Sequence, residues 1–134
     1  MKQNKYLLLF LFLLSIFGFS ILNAQKLDCK KFRTGEFEYI DKDFPFKITR
    51  NSSYQIEIDK NNGSEIHALI EWKSDCEYIL TYEKILDKKE NFDDLIGKKI
   101  YVEIIKTDGN KFTVHAKSDV IDHDIEFIKI DSYN

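Results

Sequence analysis

The sequence predicts an all-β domain, a single antiparallel meander of about eight strands that forms a small barrel or half-barrel. Three observations predict it. Apolar and polar residues alternate with a period of two through most of residues 32–130. Turn-forming pairs such as Asn62-Gly63 and Asp108-Gly109 punctuate the alternation at short intervals. No stretch sustains a helical period, and the chain holds one proline. A meander of this length curls or closes to hide its edges. A two-sheet sandwich is the alternative arrangement.

The N-terminus reads differently. Lys2 and Lys5 precede an apolar run from Tyr6 to Leu22, and small Ala24 stands before Gln25. A basic start, an apolar middle and a small residue are the three parts of an export signal in order. Residues 1–24 are therefore read as a signal peptide and residues 25–134 as a single secreted β domain. The apolar run is close to the lower limit for a membrane span, so a retained anchor is the competing reading. The return to polar residues directly after Ala24 favours cleavage and a secreted or periplasmic address. Lys26-Leu27-Asp28 before Cys29 is no small apolar lipobox, which argues against a lipoprotein.

Loss of Lys2 and Lys5 leaves 18 basic against 23 acidic residues, a net charge of −5 on the mature domain. Such a surface repels nucleic acid and anionic membranes, so neither is an expected partner. Cys29 and Cys76 are the only cysteines. In an oxidising compartment one disulfide is the natural reading, with two buried free thiols as the alternative. Two lone cysteines lack the paired spacing of a zinc site.

Each element follows from local pattern. Phe32 to Ile40 reads as a first strand, with Gly35 allowing a bend or close approach. Asp41 to Pro45 turns into a short second strand, Phe46 to Arg50. In the third strand Tyr54, Ile56 and Ile58 alternate with Gln55, Glu57 and Asp59, and the apolar set is expected to face inward. Asn62-Gly63 leads into a fourth strand, Glu65 to Trp72, with Ile66, Ala68, Ile70 and Trp72 on one face. The fifth, Cys76 to Lys84, places Cys76, Tyr78, Leu80 and Tyr82 on one face. Residues 85–97 break the pattern with a charged loop and one short helical turn near 92–96, closed by Gly97. Lys99 to Thr107 and Lys111 to Lys117 form a second hairpin about Asp108-Gly109-Asn110. Ser118 to His123 is polar, and Ile125 to Ile130 is the last strand.

Candidate chemistry is sparse. Arg50, Gln55 and Glu57 lie across one hairpin, and Gln55 and Glu57 share a face. An ion pair between Arg50 and Glu57 on the outer face is the favoured reading, and a polar ligand anchor inside the barrel is the alternative. Trp72, Tyr78 and Tyr82 suit a binding pocket or ordinary packing around a disulfide. Asp119, Asp122, His123 and Asp124, with His115, suit a solvated turn better than a metal site, because the spacing does not match a calcium loop. No metal and no cofactor are expected. Asn51-Ser52-Ser53 and Asn62-Gly63-Ser64 match the glycosylation sequon. Gly-x-Ser-x-Gly, His-Glu-x-x-His, Cys-x-x-Cys and glycine-rich phosphate loops are all missing from the sequence, so no catalytic residue is assigned and an enzyme is the least supported class.

Cys29-x-x-Phe32-x-x-Gly35-x-Phe37, Ile48-Thr49-Arg50, Gln55-x-Glu57 and Ile70-Glu71-Trp72-Lys73-Ser74-Asp75-Cys76-x-Tyr78-x-Leu80 together resemble a family of short exported bacterial proteins, mostly uncharacterised. The resemblance runs from Cys29 to Ile130. Some members carry a DNA topoisomerase label, which an acidic domain of this size without a basic track does not support. The Gly35-x-Phe37 start also resembles the first strand of lipocalin-like barrels, where a tryptophan replaces the phenylalanine, and this implies fold alone.

Two functions remain in view. The first is a secreted, non-enzymatic binding module that holds a small apolar or amphipathic ligand against Phe37, Tyr54, Trp72 and Tyr78, with Arg50 or Glu57 as polar anchor. The second is an interaction or inhibitor module that meets a protein of the cell envelope through loop 85–97 or a sheet edge. A concave interior of several hundred Å3 would favour the first and a filled interior the second.

Overall fold

A computed structural model describes residues 26–87, 89 and 91–130; the expected export signal lies outside the described residues. Eight strands follow in chain order: β1 (Gly35–Tyr39), β2 (Phe46–Arg50), β3 (Tyr54–Asp59), β4 (Glu65–Trp72), β5 (Glu77–Leu86), β6 (Lys99–Asp108), β7 (Lys111–Lys117) and β8 (Asp122–Ile130). Each pairs antiparallel with the next, and β1 pairs with β8, Glu36 opposite Ile130 and Tyr39 opposite Phe127. The sheet is thus a closed barrel, neither a half-barrel nor a sandwich. Closure satisfies the backbone of both terminal strands, so a partner that adds at a sheet edge loses its template. The helices among the described residues are single 3-10 turns, Cys29–Phe32 and the expected one at Asp93–Leu95. No helix of the described residues is long and apolar enough to cross a membrane.

The first strand begins three residues later than its alternation implies. Cys29–Phe32 instead folds as a 3-10 turn beneath one end of the barrel. Phe32 is completely buried there and stacks on Phe112, ring centroids 4.4 Å apart. Burial of a whole aromatic ring outweighs extra ladder bonds at a strand end. Cys29 and Cys76 are joined, with Cα atoms 5.1 Å apart, and the bridge closes a separation of 47 residues. In the chain-entropy account a loop of that length contributes about 4 kcal/mol. A disulfide of this kind fits an oxidising compartment.

The same end is drawn together by polar contacts. Lys129 of β8 donates to the carbonyl of Lys31 at 2.7 Å, and Asp28 donates its backbone N–H to Thr107 Oγ1 at 3.1 Å. Gly35 permits this closure. Its φ is +131°, and a Cβ there would stand 2.8 Å from Lys129 Cε. The β6–β7 connection, Gly109-Asn110, also lies at this end, where Lys31 Nζ reaches the Gly109 carbonyl. Gly109 has φ +58°, as a glycine-led two-residue hairpin requires.

The expected inward face of β3 is the main correction. Gln55 is buried, whereas Tyr54 and Ile56 are half-buried and Ile58 is exposed. Pairing explains it. Gln55 stands opposite Arg50 on β2 and Ala68 on β4, and Glu57 stands opposite Ile48 and Ile66. Ile48, Arg50 and Ala68 are buried, and residues directly opposite share a face. Gln55 and Glu57 therefore point into the barrel, and Tyr54, Ile56 and Ile58 point out. Strand β8 also starts earlier than expected, at Asp122. Ser118 folds a tight turn in which its Oγ accepts the N–H groups of Val120 and Ile121.

Candidate functional site

The barrel interior is divided. At the end closed by the 3-10 turn, Phe32, Phe37, Ile48, Ile104 and Phe112 fill the space. Toward the other end lies a cavity of about 170 Å3. That end carries the connections 40–45, 60–64, 87–98 and 118–121. The cavity is narrower than the several hundred Å3 that a deep ligand site would offer.

Arg50 forms the floor. It ends β2, next to the turn that reverses the chain, and is only 3 % exposed. Its Nη1 donates to the Phe32 carbonyl at 3.0 Å, its Nη2 to the Tyr78 hydroxyl at 3.1 Å and its Nε to Gln55 Oε1 at 2.8 Å. The guanidinium also lies over the rings of Phe37 and Tyr78, about 5 Å from each centroid. A buried guanidinium is tolerable because each of its nitrogens has an acceptor.

Gln55 passes this polarity upward. Arg50 can only donate and an ionised Glu57 can only accept, so the amide between them must turn its oxygen to one and its nitrogen to the other. Gln55 Nε2 donates to Glu57 Oε1 at 2.7 Å, and the Tyr39 hydroxyl donates to Glu57 Oε2 at 2.9 Å. The expected ion pair is thus not formed: Arg50 and Glu57 lie inside the barrel rather than outside, and the Gln55 amide bridges them. Burial raises the Glu57 carboxyl above the ordinary carboxylate value, against the opposing pull of the bonds from Tyr39 and Gln55 and the charge of Arg50. Burial and the Glu57 charge likewise raise the Tyr39 and Tyr82 hydroxyls, the latter to about 12.

Apolar side chains complete the walls, among them Phe46, Ile66, Leu80, Ile100, Ala116 and Phe127, with Ile121 and Ile125 beside the β7–β8 turn. Of the residues proposed from sequence, Arg50, Glu57 and Tyr78 meet at this cavity. Phe37 lies beneath Arg50 in the filled half. Trp72 packs at the disulfide end, its ring 4.6 Å from that of Tyr78 and covered by the Arg33 guanidinium at 4.7 Å. Tyr54 is on the outer wall, where its hydroxyl donates to Glu83. Gln55 and Tyr82, also noted in the sequence, join them, and the structure adds Tyr39. The signal for Tyr39 was its place beside Phe37 on one face of an alternating strand; for Gln55 and Glu57 what was missing was the register of β3.

Two other features carry less. A broad groove of about 440 Å3 crosses the outer wall by Lys73, Ile79, Tyr101, His115 and Lys117. Its lysines are already engaged, Lys73 with Glu71 and Lys117 with Asp122. His115 is clasped at both ring nitrogens, Nδ1 by Asp124 at 2.8 Å and Nε2 by Asp122 at 3.1 Å. That contact raises its proton affinity and occupies both atoms that a metal would need. No metal-binding group of side chains occurs among the described residues. Compared with known proteins, the chain matches no family model, no curated protein and no solved structure.

Proposed function

We propose that this domain is an exported, non-catalytic binding module that holds one small, largely apolar molecule in the open half of its barrel. The observation that carries the reading is the asymmetry of the interior. One half is packed with aromatic rings and stapled by a disulfide, whereas the other keeps a cavity of about 170 Å3 over a cluster of buried polar groups. Empty volume in a small domain costs stability. A fold that invests in closing one end and leaves the other hollow has a use for the hollow. Engineered apolar cavities of about 150 Å3 accept a benzene ring. The ligand is therefore a single ring or short chain, or one end of something longer. Phe44, Ile96 and Val120 stand exposed on the connections around the mouth, where a protruding portion would rest. Export is supported by the signal-like N-terminus and by the disulfide. A non-catalytic role is supported by the sequence, which offers no motif for a nucleophile or a phosphate loop.

Titration of the domain with small aromatic probes, followed by calorimetry, tests this. Saturable one-to-one binding is expected. Ala116→Leu, which fills the cavity with an apolar side chain at little cost to the fold, should abolish it. Binding that survives Ala116→Leu, or no saturable binding to the parent, overturns the reading.

A further inference from the structure

We infer that the molecule taken by this cavity carries a cationic amine at its buried end, attached to an apolar body and seated between Glu57 and Tyr82. The inference rests on reading the cavity as a ligand site, and it names the ligand's chemistry.

All three nitrogens of Arg50 are engaged, with Phe32, Tyr78 and Gln55, on the floor of the cavity. Arg50 borders the open space as well, with each of its nitrogens already committed to an acceptor. Glu57 is the opposite case. Each of its oxygens accepts one hydrogen bond, from Gln55 and from Tyr39. A carboxylate offers about four acceptor sites, so half of that capacity is unspent. No ion pair joins Glu57 to any described residue. The groups that face it from neighbouring strands are Tyr39 of β1, Arg50 of β2, Ile66 of β4, and Tyr78 and Tyr82 of β5. None of them brings a positive charge into direct contact.

Tyr82 supplies the second observation. Its hydroxyl lines the same cavity, close enough to feel the charge of Glu57, and no described residue forms a hydrogen bond with it. The open space is thus bordered by a carboxylate with spare lone pairs and a phenol oxygen without a hydrogen-bond partner among the described residues, beside the already engaged Tyr39, Arg50, Gln55 and Tyr78 and a wall of apolar side chains. An alkylammonium has three donors and no acceptor, which suits both oxygens. It also places a countercharge beside a desolvated carboxylate, where a low local dielectric strengthens the attraction. A carboxylate-headed ligand would set like charge against Glu57. A plain hydrocarbon would leave the Tyr82 hydroxyl and the spare Glu57 lone pairs unmet. Net acidic charge on the chain, −3 over all its residues, further favours the approach of a cation.

The test compares benzylamine, benzyl alcohol, toluene and benzoate, four probes with one ring each, by calorimetry on the disulfide-bonded domain. Benzylamine should bind about tenfold or more tighter than the alcohol, and benzoate should not bind. Glu57→Gln should erase the amine's advantage and leave the alcohol within about threefold of its parent affinity. Tyr82→Phe, which keeps the ring in place, should weaken the amine severalfold. Ala116→Leu should remove all binding, which separates the cavity from adsorption to the acidic surface. If alcohol, hydrocarbon or acid binds as well as the amine, or if the amine preference survives Glu57→Gln, the ligand class is wrong while the cavity reading stands. If no probe saturates, both fall together.

Discussion

Arg50 joins three parts of the molecule that are distant in sequence: the 3-10 turn through the Phe32 carbonyl, β3 through Gln55 and β5 through Tyr78. Its planar fork reaches all three acceptors at once, which a point charge on a flexible stem cannot do. Arg50→Met should therefore cost about 3 kcal/mol, because it leaves buried acceptors unmet. Arg50→Lys should recover little of that loss in urea unfolding; full recovery by lysine would mean that charge rather than fork geometry matters. Sequence reasoning found Arg50, Gln55 and Glu57 as a set, because polar residues at alternate positions beside a turn are easily seen. It placed the set on the wrong side of the wall. Alternation in β3 is equally good for either face, and the apolar face is the usual inward one. Only the burial of Ile48, Arg50 and Ala68 on the flanking strands decides it.

At the level of elements, the closed end depends on Gly35 and Lys129. Gly35→Ala would meet two penalties, a backbone angle of φ +131° and a Cβ 2.8 Å from Lys129 Cε. A loss of about 2 kcal/mol is expected. The steric part should be relieved in Gly35→Ala/Lys129→Ala and the backbone part should not, so a double-mutant cycle by thermal unfolding should show coupling of about 0.5–1 kcal/mol. Zero coupling would mean that Lys129 moves aside freely. The Gly35-x-Phe37 pattern was readable as a site of close approach, but the approaching group was not, since Lys129 comes from the opposite end of the chain. Strands β2, β3, β4 and β7 begin and end as their alternation implies. Strand β5 runs on to Leu86, two residues into the segment expected as loop, and β6 gains Asp108; the larger shifts, at the starts of β1 and β8, fall where strand ends carry tight turns or tertiary anchors. There Phe32 and Ser118 serve contacts that local propensity does not encode.

For the whole molecule, two titrating groups shape stability in the same sense. Glu57 and His115 both hold their protons more tightly in the folded state than their ordinary values. Each then contributes stability that is fully present below its unfolded value and lost as pH rises through the folded one. For Glu57 that window opens near the ordinary carboxylate value of 4.5 and extends upward; for His115 it opens at 6.5. Urea midpoints between about pH 4 and pH 8 should therefore fall less steeply with rising pH in Glu57→Gln than in the parent. His115→Asn should flatten only the upper part of that range, and weakly, because the imidazole is partly exposed. A Glu57→Gln curve parallel to that of the parent would show that the buried carboxyl titrates normally.

Closure of the barrel has a practical corollary for anyone handling this molecule. The described chain enters beside Thr107, through Asp28, and leaves after Ile130, which sits opposite Glu36 near the start of the first strand. Both ends of the ribbon thus hang from the sealed base, like the stem of a goblet. A tag, a surface tether or a fused neighbour joined directly at either end of the described residues would leave the rim unobstructed and facing away from its support.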